Sequence, residues 1–237
     1  MTDSGIHLPP AVGGALPRAG AHASRFVTRL RGFAARVVGP AVRRSVDVAL
    51  AASGLAVAGP VLAAAAAAIR ITSPGPIFYK QVRVGQHGKP LPIYKLRTMY
   101  VDADKRLAAL QHLNESAGGV TFKIKKAPRI TPVGRILRKF SIDELPQLWN
   151  VLDGSMTTFG PRPPVPREVA LYGARERRRL EVKPGLTCLW QVSGRSDLSF
   201  EQQVALDIEY IDTSTVSDEI KIFAATIPAV VTGKGAY

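Results

Sequence analysis

Cysteine is almost missing from this sequence. Cys188 is the only one in 237 residues, so an intrachain disulfide and a CxxC metal or redox site are excluded, and an ordinary reducing compartment fits. Histidine is scarce as well. His7, His22, His87 and His112 are too scattered for an HxxH or HExxH arrangement, which leaves a zinc site without support. Aromatic residues make up 7% of the chain, thin for a protein that stacks nucleic-acid bases, and no recognisable nucleic-acid-reading motif is present. Acidic residues number 18 against 32 lysines and arginines, a formal charge of +14. That surplus points to an anionic partner, whether nucleic acid, an acidic membrane surface or a phosphorylated substrate. The acids that are present gather after Arg195, at Asp197, Glu201, Asp207, Glu209, Asp212, Asp218 and Glu219, so the cationic character belongs to the earlier part of the chain.

What the sequence does have is length for one good core and a long uncharged run. Ala49 to Ile69 reads ALAASGLAVAGPVLAAAAAAI, matching the roughly 20 apolar residues a spanning helix needs. Two features argue against a simple span. Gly59-Pro60 falls near its centre, where proline removes an amide donor and crowds the preceding turn, predicting a sharp bend. Arg43 and Arg44 precede the run and Arg70 follows it, and cationic flanks at both ends prefer the same, cytoplasmic side. A helix that enters one leaflet, turns at Gly59-Pro60 and returns satisfies both. The competing reading is a buried helix of a soluble protein, since alanine dominates the run. The long arginine-bearing leader before it speaks against a cleavable signal peptide.

Within that leader, Phe26, Leu30, Phe33, Ala34 and Val37 share one helical face and Arg25, Arg29 and Arg36 another. The pattern fits an interfacial helix or an ordinary amphipathic helix packed on the domain. The residues before Ser24 read as disordered. Near the other end Ile220, Phe223, Ile227 and Val231 follow helical spacing, with Pro228 as a kink, a second candidate for the bilayer surface.

The middle of the chain carries the chemistry. Ile77 to Gly85 alternates like a strand, Gln86 to Lys89 reads as a hairpin turn, and Leu91 to Met99 returns with Lys95 and Arg97 on one face. Leu145, Leu148, Trp149 and Leu152 predict a helix. Ser141 with Glu144 forms a capping-box pattern and Pro146 tolerates only a helix start, placing Asp143 and Glu144 in the first turn. Amide donors there attract phosphate, and carboxylates beside phosphate call for a hard cation such as magnesium. One acidic residue would then bind metal while its neighbour attacks; the plain alternative is that both only complement the helix dipole. Downstream, Phe159-Gly160-Pro161-Arg162-Pro163-Pro164 is a stiffened loop that would hold Arg162 ready for bidentate phosphate contact, or else a polyproline segment. Lys183-Pro184-Gly185-Leu186 turns into a strand-like stretch through Trp190-Gln191-Val192, followed by Arg195 in a loop.

Taken in order, RVGQHGKPLPIYKLRTM (83 to 99), the stretch from Arg129 through SIDELPQLWNVLDG to GPRP (129 to 163) and KPGLTCLWQVSGR (183 to 195) resemble the bacterial sugar transferase family, the monotopic phosphoglycosyl transferases. The resemblance covers roughly Arg43 to Tyr237. It implies a re-entrant helix broken at Gly59 and Pro60, and an active site at the cytoplasmic face of the bacterial inner membrane. It also implies that Asp143 attacks the sugar-proximal phosphate of a UDP-sugar, expelling UMP, and that polyprenyl (undecaprenyl) phosphate then accepts the sugar phosphate, the initiating step of exopolysaccharide, capsule or glycoconjugate synthesis. Glu144 matches a magnesium-binding carboxylate, with manganese an acceptable substitute, and Lys95, Arg138 and Arg162 match residues that hold phosphate or nucleotide. The surrounding cations are expected to keep Asp143 ionised. The ending GKGAY is similar to members that transfer a hexose phosphate. Ala127 in place of an aspartate, Cys188 in place of a glycine, Gly59 in place of a serine and the absence of tryptophans around Ser214 to Ser217 depart from the family's pattern.

The expected fold is α+β, mainly helical. A re-entrant helix-break-helix membrane segment over 46–71 joins a small cytosolic catalytic domain with a β-hairpin and interfacial helices. Residues 1–40 form an extension, and 41–237 the transferase domain. The expected partners are a UDP-sugar, polyprenyl phosphate and the lipid bilayer, with no nucleic acid and with self-association left open. The competing function is a basic membrane-peripheral or nucleic-acid-binding protein without catalysis.

Overall fold

The computed structural model describes residues 39–103, 105, 127–233 and 235. The amphipathic pattern of Phe26 to Val37, the extension over 1–40 except its last two residues, and Lys234, Ala236 and Tyr237 of the ending lie outside the described residues. The described architecture is mainly helical with two small sheets, consistent with α+β.

The uncharged run folds as one helix, α1 (Pro40–Thr72), opened by Pro40 at its first position. Its buried residues are Ala51, Ala58, Ala65 and Ile69, and Leu55 and Leu62 pack between them against the core. The spacing alternates four and three residues, so a single stripe faces the protein. Alanine along that stripe brings the helix close to its neighbours; a Cβ on Gly54 would stand 3.2 Å from Leu148. The two halves of α1 meet two clusters of the same body. Ala51 and Leu55 pack with Leu91, Ile93, Leu148, Val151 and Met156. Leu62, Ala65 and Ile69 pack with Leu96, Leu137, Ile77 and Ile142.

Between the charged ends of α1 its remaining surface is largely exposed and apolar: Val57 is 80% exposed, and Ile71, just past Arg70, 82%. Only 17% of its most apolar 18-residue window is buried, and by length and composition it is the one described helix able to cross a membrane. That sets aside the buried soluble helix. Helical backbone runs from Pro40 to Thr72 with Pro60 inside it, so a change of direction at Gly59-Pro60 is a bend within one helix and not a gap between two. Proline costs one hydrogen bond and some crowding, and a Cβ on Gly59 would meet nothing within 4 Å, so there is room to absorb it inside a single helix.

The amino-terminal end of α1 is fastened by polar contacts. Arg43 pairs with Glu219, and Arg44 donates to the carbonyls of Val151 and Leu152. Asp47 accepts from the Thr157 hydroxyl and, at 2.8 Å, from the Thr158 amide.

After α1 comes the expected hairpin, β1 (Phe78–Val84) paired antiparallel with β2 (Pro90–Leu96), with Tyr79 opposite Lys95 and Arg83 opposite Leu91. Opposed residues of such a pair share a face, so Tyr79, Arg83 and Lys95 lie together. A buried arginine joins this hairpin to the end of α1: Arg97 donates to the Ser73 and Pro74 carbonyls at 2.6 and 2.7 Å. The far edge of β2 is met by Asn150, whose side-chain amide donates to the Pro92 carbonyl at 2.9 Å and accepts from the Tyr94 amide at 3.2 Å.

Helix α2 (Pro132–Lys139) starts at Thr131, whose hydroxyl accepts from the Gly134 amide. A 3-10 segment, Ile142–Gln147, leads into α3 (Leu148–Leu152). Strand β3 (Thr157–Phe159) runs parallel to β4 (Gly185–Thr187). Between them lie the short α4 (Pro166–Val169) and α5 (Ala174–Arg177), and after them α6 (Leu189–Ser193), α7 (Phe200–Thr213) and α8 (Val216–Thr232). The strand-like reading of Trp190-Gln191-Val192 is corrected by α6. The strand ends at Thr187, and Cys188 begins a helix. Helix α8 contains Pro228 and leaves Ile220, Phe223, Ile227 and Val231 exposed, the outward apolar face their spacing predicts.

Candidate active site

Asp143 and Glu144 occupy the start of the 3-10 segment. The capping box expected there does not form. Ser141 adopts a left-handed backbone with φ of 55° and caps nothing with its side chain. Its hydroxyl accepts from Arg195, which also donates to the Ala229 carbonyl at the end of α8. Glu144 turns its carboxylate to charged partners instead of the backbone. Arg162 forks onto it, with Nη1 to Oε2 at 3.0 Å and Nη2 to Oε1, and Lys95 donates to Oε1 at 2.7 Å. A forked guanidinium plus an ammonium is the strong, charge-assisted form of this interaction.

These contacts set two neighbouring carboxylates apart. Burial pushes Glu144 upward, yet Arg162 and Lys95 outweigh it and hold its carboxyl well below the usual range. Asp143 is 8% exposed. Burial pushes its carboxyl up to about 6, helped by the Glu144 charge and opposed by Lys95, Arg138 and Arg162. Its ionised form is therefore less secure than the surrounding cations alone would make it. Asp143 lines the cleft, and among the described residues its carboxylate makes no side-chain hydrogen bond or salt bridge.

The cleft has a volume of about 780 Å³. It brings together every site residue expected from the sequence: Lys95, Arg138, Asp143, Glu144 and Arg162 all line it. Gly59 and Pro60 are on α1 and do not. Three arginines outside that expectation also line it, Arg83, Arg179 and Arg195. Arg83 donates to the Pro163 carbonyl at 3.0 Å and so steadies the loop that carries Arg162. Burial and the repulsion of Arg162 lower its guanidinium to about 10. Strand alternation, which sets Arg83 on the same hairpin face as Lys95, is the signal that could have found it. Arg179 is bound to Asp207 and to the Tyr172 hydroxyl at 2.8 and 2.6 Å, all three buried. No local pattern announces that pair, whose members are 28 residues apart.

The loop bearing Arg162 is itself set by β4. The Gly160 amide donates to the Thr187 carbonyl and the Gly185 amide to the Pro161 carbonyl. The GPRP and KPGL motifs thus form one structure. Cys188 follows directly, fully buried, with its thiol pushed well up by burial and donating to Gln191 Oε1 at 3.0 Å.

Among the described residues no three His, Cys, Asp or Glu side chains cluster as a closed metal cage. Two adjoining carboxylates, one of them without a side-chain hydrogen bond or salt bridge among those residues, fit an ion of the magnesium type, which takes one or two carboxylates and completes its shell with substrate phosphate and water.

A cationic cleft built around an acidic pair lies on a body faced by an apolar helix, an arrangement that suits an anionic ligand. The bacterial sugar transferase profile matches residues 38–233, and the chain belongs to that family. It is 38% identical over 207 residues to the exopolysaccharide production protein ExoY of Rhizobium meliloti (strain 1021), covering 86% of this chain and 92% of that one. It is 40% identical over 203 residues to the UDP-glucose:undecaprenyl-phosphate glucose-1-phosphate transferase of Caulobacter vibrioides, covering 82% of this chain and 72% of that protein. Identity is 41% over 195 residues to the galactosyl transferase CpsE of Streptococcus agalactiae serotype III, of which the chain spans less than half, 43%.

Proposed function

We propose that this protein transfers a sugar 1-phosphate, specifically a hexose phosphate, from a UDP-sugar to polyprenyl phosphate, as the first step of exopolysaccharide or related glycan assembly. The observation that carries the reading is the division of labour in the acidic pair. Glu144 is locked by Arg162 and Lys95, whereas Asp143 is buried beside it, lines the cleft and makes no side-chain hydrogen bond or salt bridge among the described residues. An Asp143 oxygen forms a bond to the sugar-side phosphorus while the bond from that phosphorus to the bridging oxygen breaks and UMP leaves. A phosphate oxygen of the polyprenyl acceptor then attacks the same phosphorus, and the Asp143 bond breaks to restore the carboxylate.

Holding a weak nucleophile in line and offsetting the leaving diphosphate charge are what the site offers. Arg162 and Lys95 keep Glu144 in place, and Arg138 adds positive charge beside Asp143. Magnesium would be held by Glu144 with substrate phosphate oxygens and water, and would supply charge neutralisation on the diphosphate.

The membrane arrangement follows the same body. Both halves of α1 pack on it, which favours a helix that dips into one leaflet around Gly59-Pro60 over one that crosses and leaves. The cationic ends of α1 and the cleft then share the cytoplasmic face. Incubation with UDP-hexose, without acceptor, should release UMP and leave a phosphosugar adduct visible by intact mass. An adduct that persists in Asp143→Asn would exclude the assigned nucleophile.

A further inference from the structure

The cleft is not cationic throughout. Pro76, Phe78, Tyr79, Val82 and Val101 also line it, and all five are open to solvent, among them Phe78 at 59%, Val82 at 54% and Val101 at 68%. Their exposure comes from topology. Among the described residues the hairpin is a two-stranded sheet in which β1 has only β2 as a strand partner, and its other edge is met at the end of the strand, where the Val84 amide donates to the Pro164 carbonyl. A side chain at such an edge borders the space beside the sheet whichever face it belongs to.

This apolar mouth adjoins the apolar surface of α1. Arg97 binds the Ser73 and Pro74 carbonyls and its amide donates to the Ile77 carbonyl, so the end of α1 is held against the start of β1. Ile71, at that end, is 82% exposed. Exposed apolar residues, Ile71 at the end of α1 and Phe78 and Val82 on β1 with Lys80 between them on the same strand face, thus border a cleft whose wall bears Lys95, Arg138 and Arg162. Long apolar chain at one end and anionic headgroup at the other is the chemistry this sequence of surfaces complements. Elsewhere the cleft lining is polar: Gln191, whose carboxamide oxygen accepts from Cys188, and Gln203, whose amide donates to the Leu198 carbonyl, suit a hydroxylated donor rather than a hydrocarbon.

We propose that the β1 edge, through Phe78, Val82 and Val101, seats the first isoprene units of the polyprenyl phosphate acceptor while its phosphate is drawn inward to the cations. The inference rests on the transfer reaction proposed above. It assigns the hairpin a role in the second half of that reaction alone.

The test is a Phe78→Ser/Val82→Ser variant of the full chain in nanodiscs. Both side chains are exposed, so the fold should tolerate the change. Adduct formation and UMP release from UDP-hexose without acceptor should stay within about twofold of wild type, while KM for undecaprenyl phosphate rises about tenfold or more. A short, water-soluble prenyl phosphate should be much less affected. An unchanged acceptor KM, or an equal loss in adduct formation, would overturn the assignment. A photoreactive diazirine polyprenyl phosphate gives a readout independent of turnover, and should label wild type between residues 76 and 82 or at Val101. Labelling there without any UMP release would sink the transfer reading and keep the lipid seat; UMP release with labelling elsewhere would do the reverse.

Discussion

Gly185 lies so close to Gly160 that a Cβ on Gly185 would stand 2.1 Å from the Gly160 amide nitrogen. Real Cβ atoms are never this near, and the obstacle is backbone on both sides, so neither strand has a flexible part to move. Gly185→Ala should part β3 from β4 and release the loop holding Arg162, destabilising the protein by roughly 2–4 kcal/mol in denaturant titration. UMP release should fall with it. A variant of wild-type stability would mean the parallel pairing is wrong.

Arg162 is expected to act through geometry as well as charge. Arg162→Lys keeps one positive charge but loses the fork on Glu144. Activity should drop about 10²-fold, a size typical for one preorganised charge-stabilising donor. A lysine variant within a few-fold of wild type would show that the fork is dispensable.

Asp143 links stability to pH. Its carboxyl sits at about 6 in the folded chain and near 3.9 when unfolded. Between those values the folded state holds a proton the unfolded state has lost, so stability declines as pH rises through the window. Metal-free Asp143→Asn should therefore be more stable than wild type at pH 7.5, by on the order of 1–3 kcal/mol, and no more stable below about pH 4. Thermal melts at the two pH values decide it; a variant less stable than wild type at pH 7.5 refutes the burial argument.

Arg179 and Asp207 form a pair with side-chain exposures of 5% and 0%. Removing one partner strands the other's charge, so Arg179→Ala should cost about 3–5 kcal/mol. Asp207, raised by burial to about 6 even with Arg179 present, should then be held neutral at pH 7. Stability close to wild type at pH 7 would show that water reaches this pair.

The outward face of α1 is a membrane surface in our reading. Val57→Lys changes a residue that is 80% exposed and touches none of the core, so the detergent-solubilised protein should melt as wild type does. Retention in membranes under alkaline carbonate should fall. Undiminished retention would place Val57 away from lipid.

The parts legible in the sequence are those whose cause is local. Alternation and a Gly-rich turn mark the hairpin because the side-chain period of a strand is two residues. A charge-free run marks α1 because helix length scales with residue count. Asp143, Glu144 and Arg162 stand out because prolines and paired charges restrict what those segments can do. Local reasoning failed where one side chain had two possible partners. Ser141 and Glu144 are spaced as a capping box, but Arg195, Arg162 and Lys95 arrive from distant segments and outbid the backbone, since a charge-assisted bond in a dry site is stronger than a neutral cap.

The sequence by itself determined that this chain would carry one apolar helix, a cationic hairpin and an acidic pair next to a stiff arginine loop. Only the tertiary structure decided that α1 stays whole through Pro60, that GPRP and KPGL share a sheet, and that Arg83, Arg179 and Arg195 complete the cleft. Propensity and periodicity act between neighbours along the chain and are written there. Burial and charge pairing act between residues that meet only after folding, and depend on which groups have lost their water.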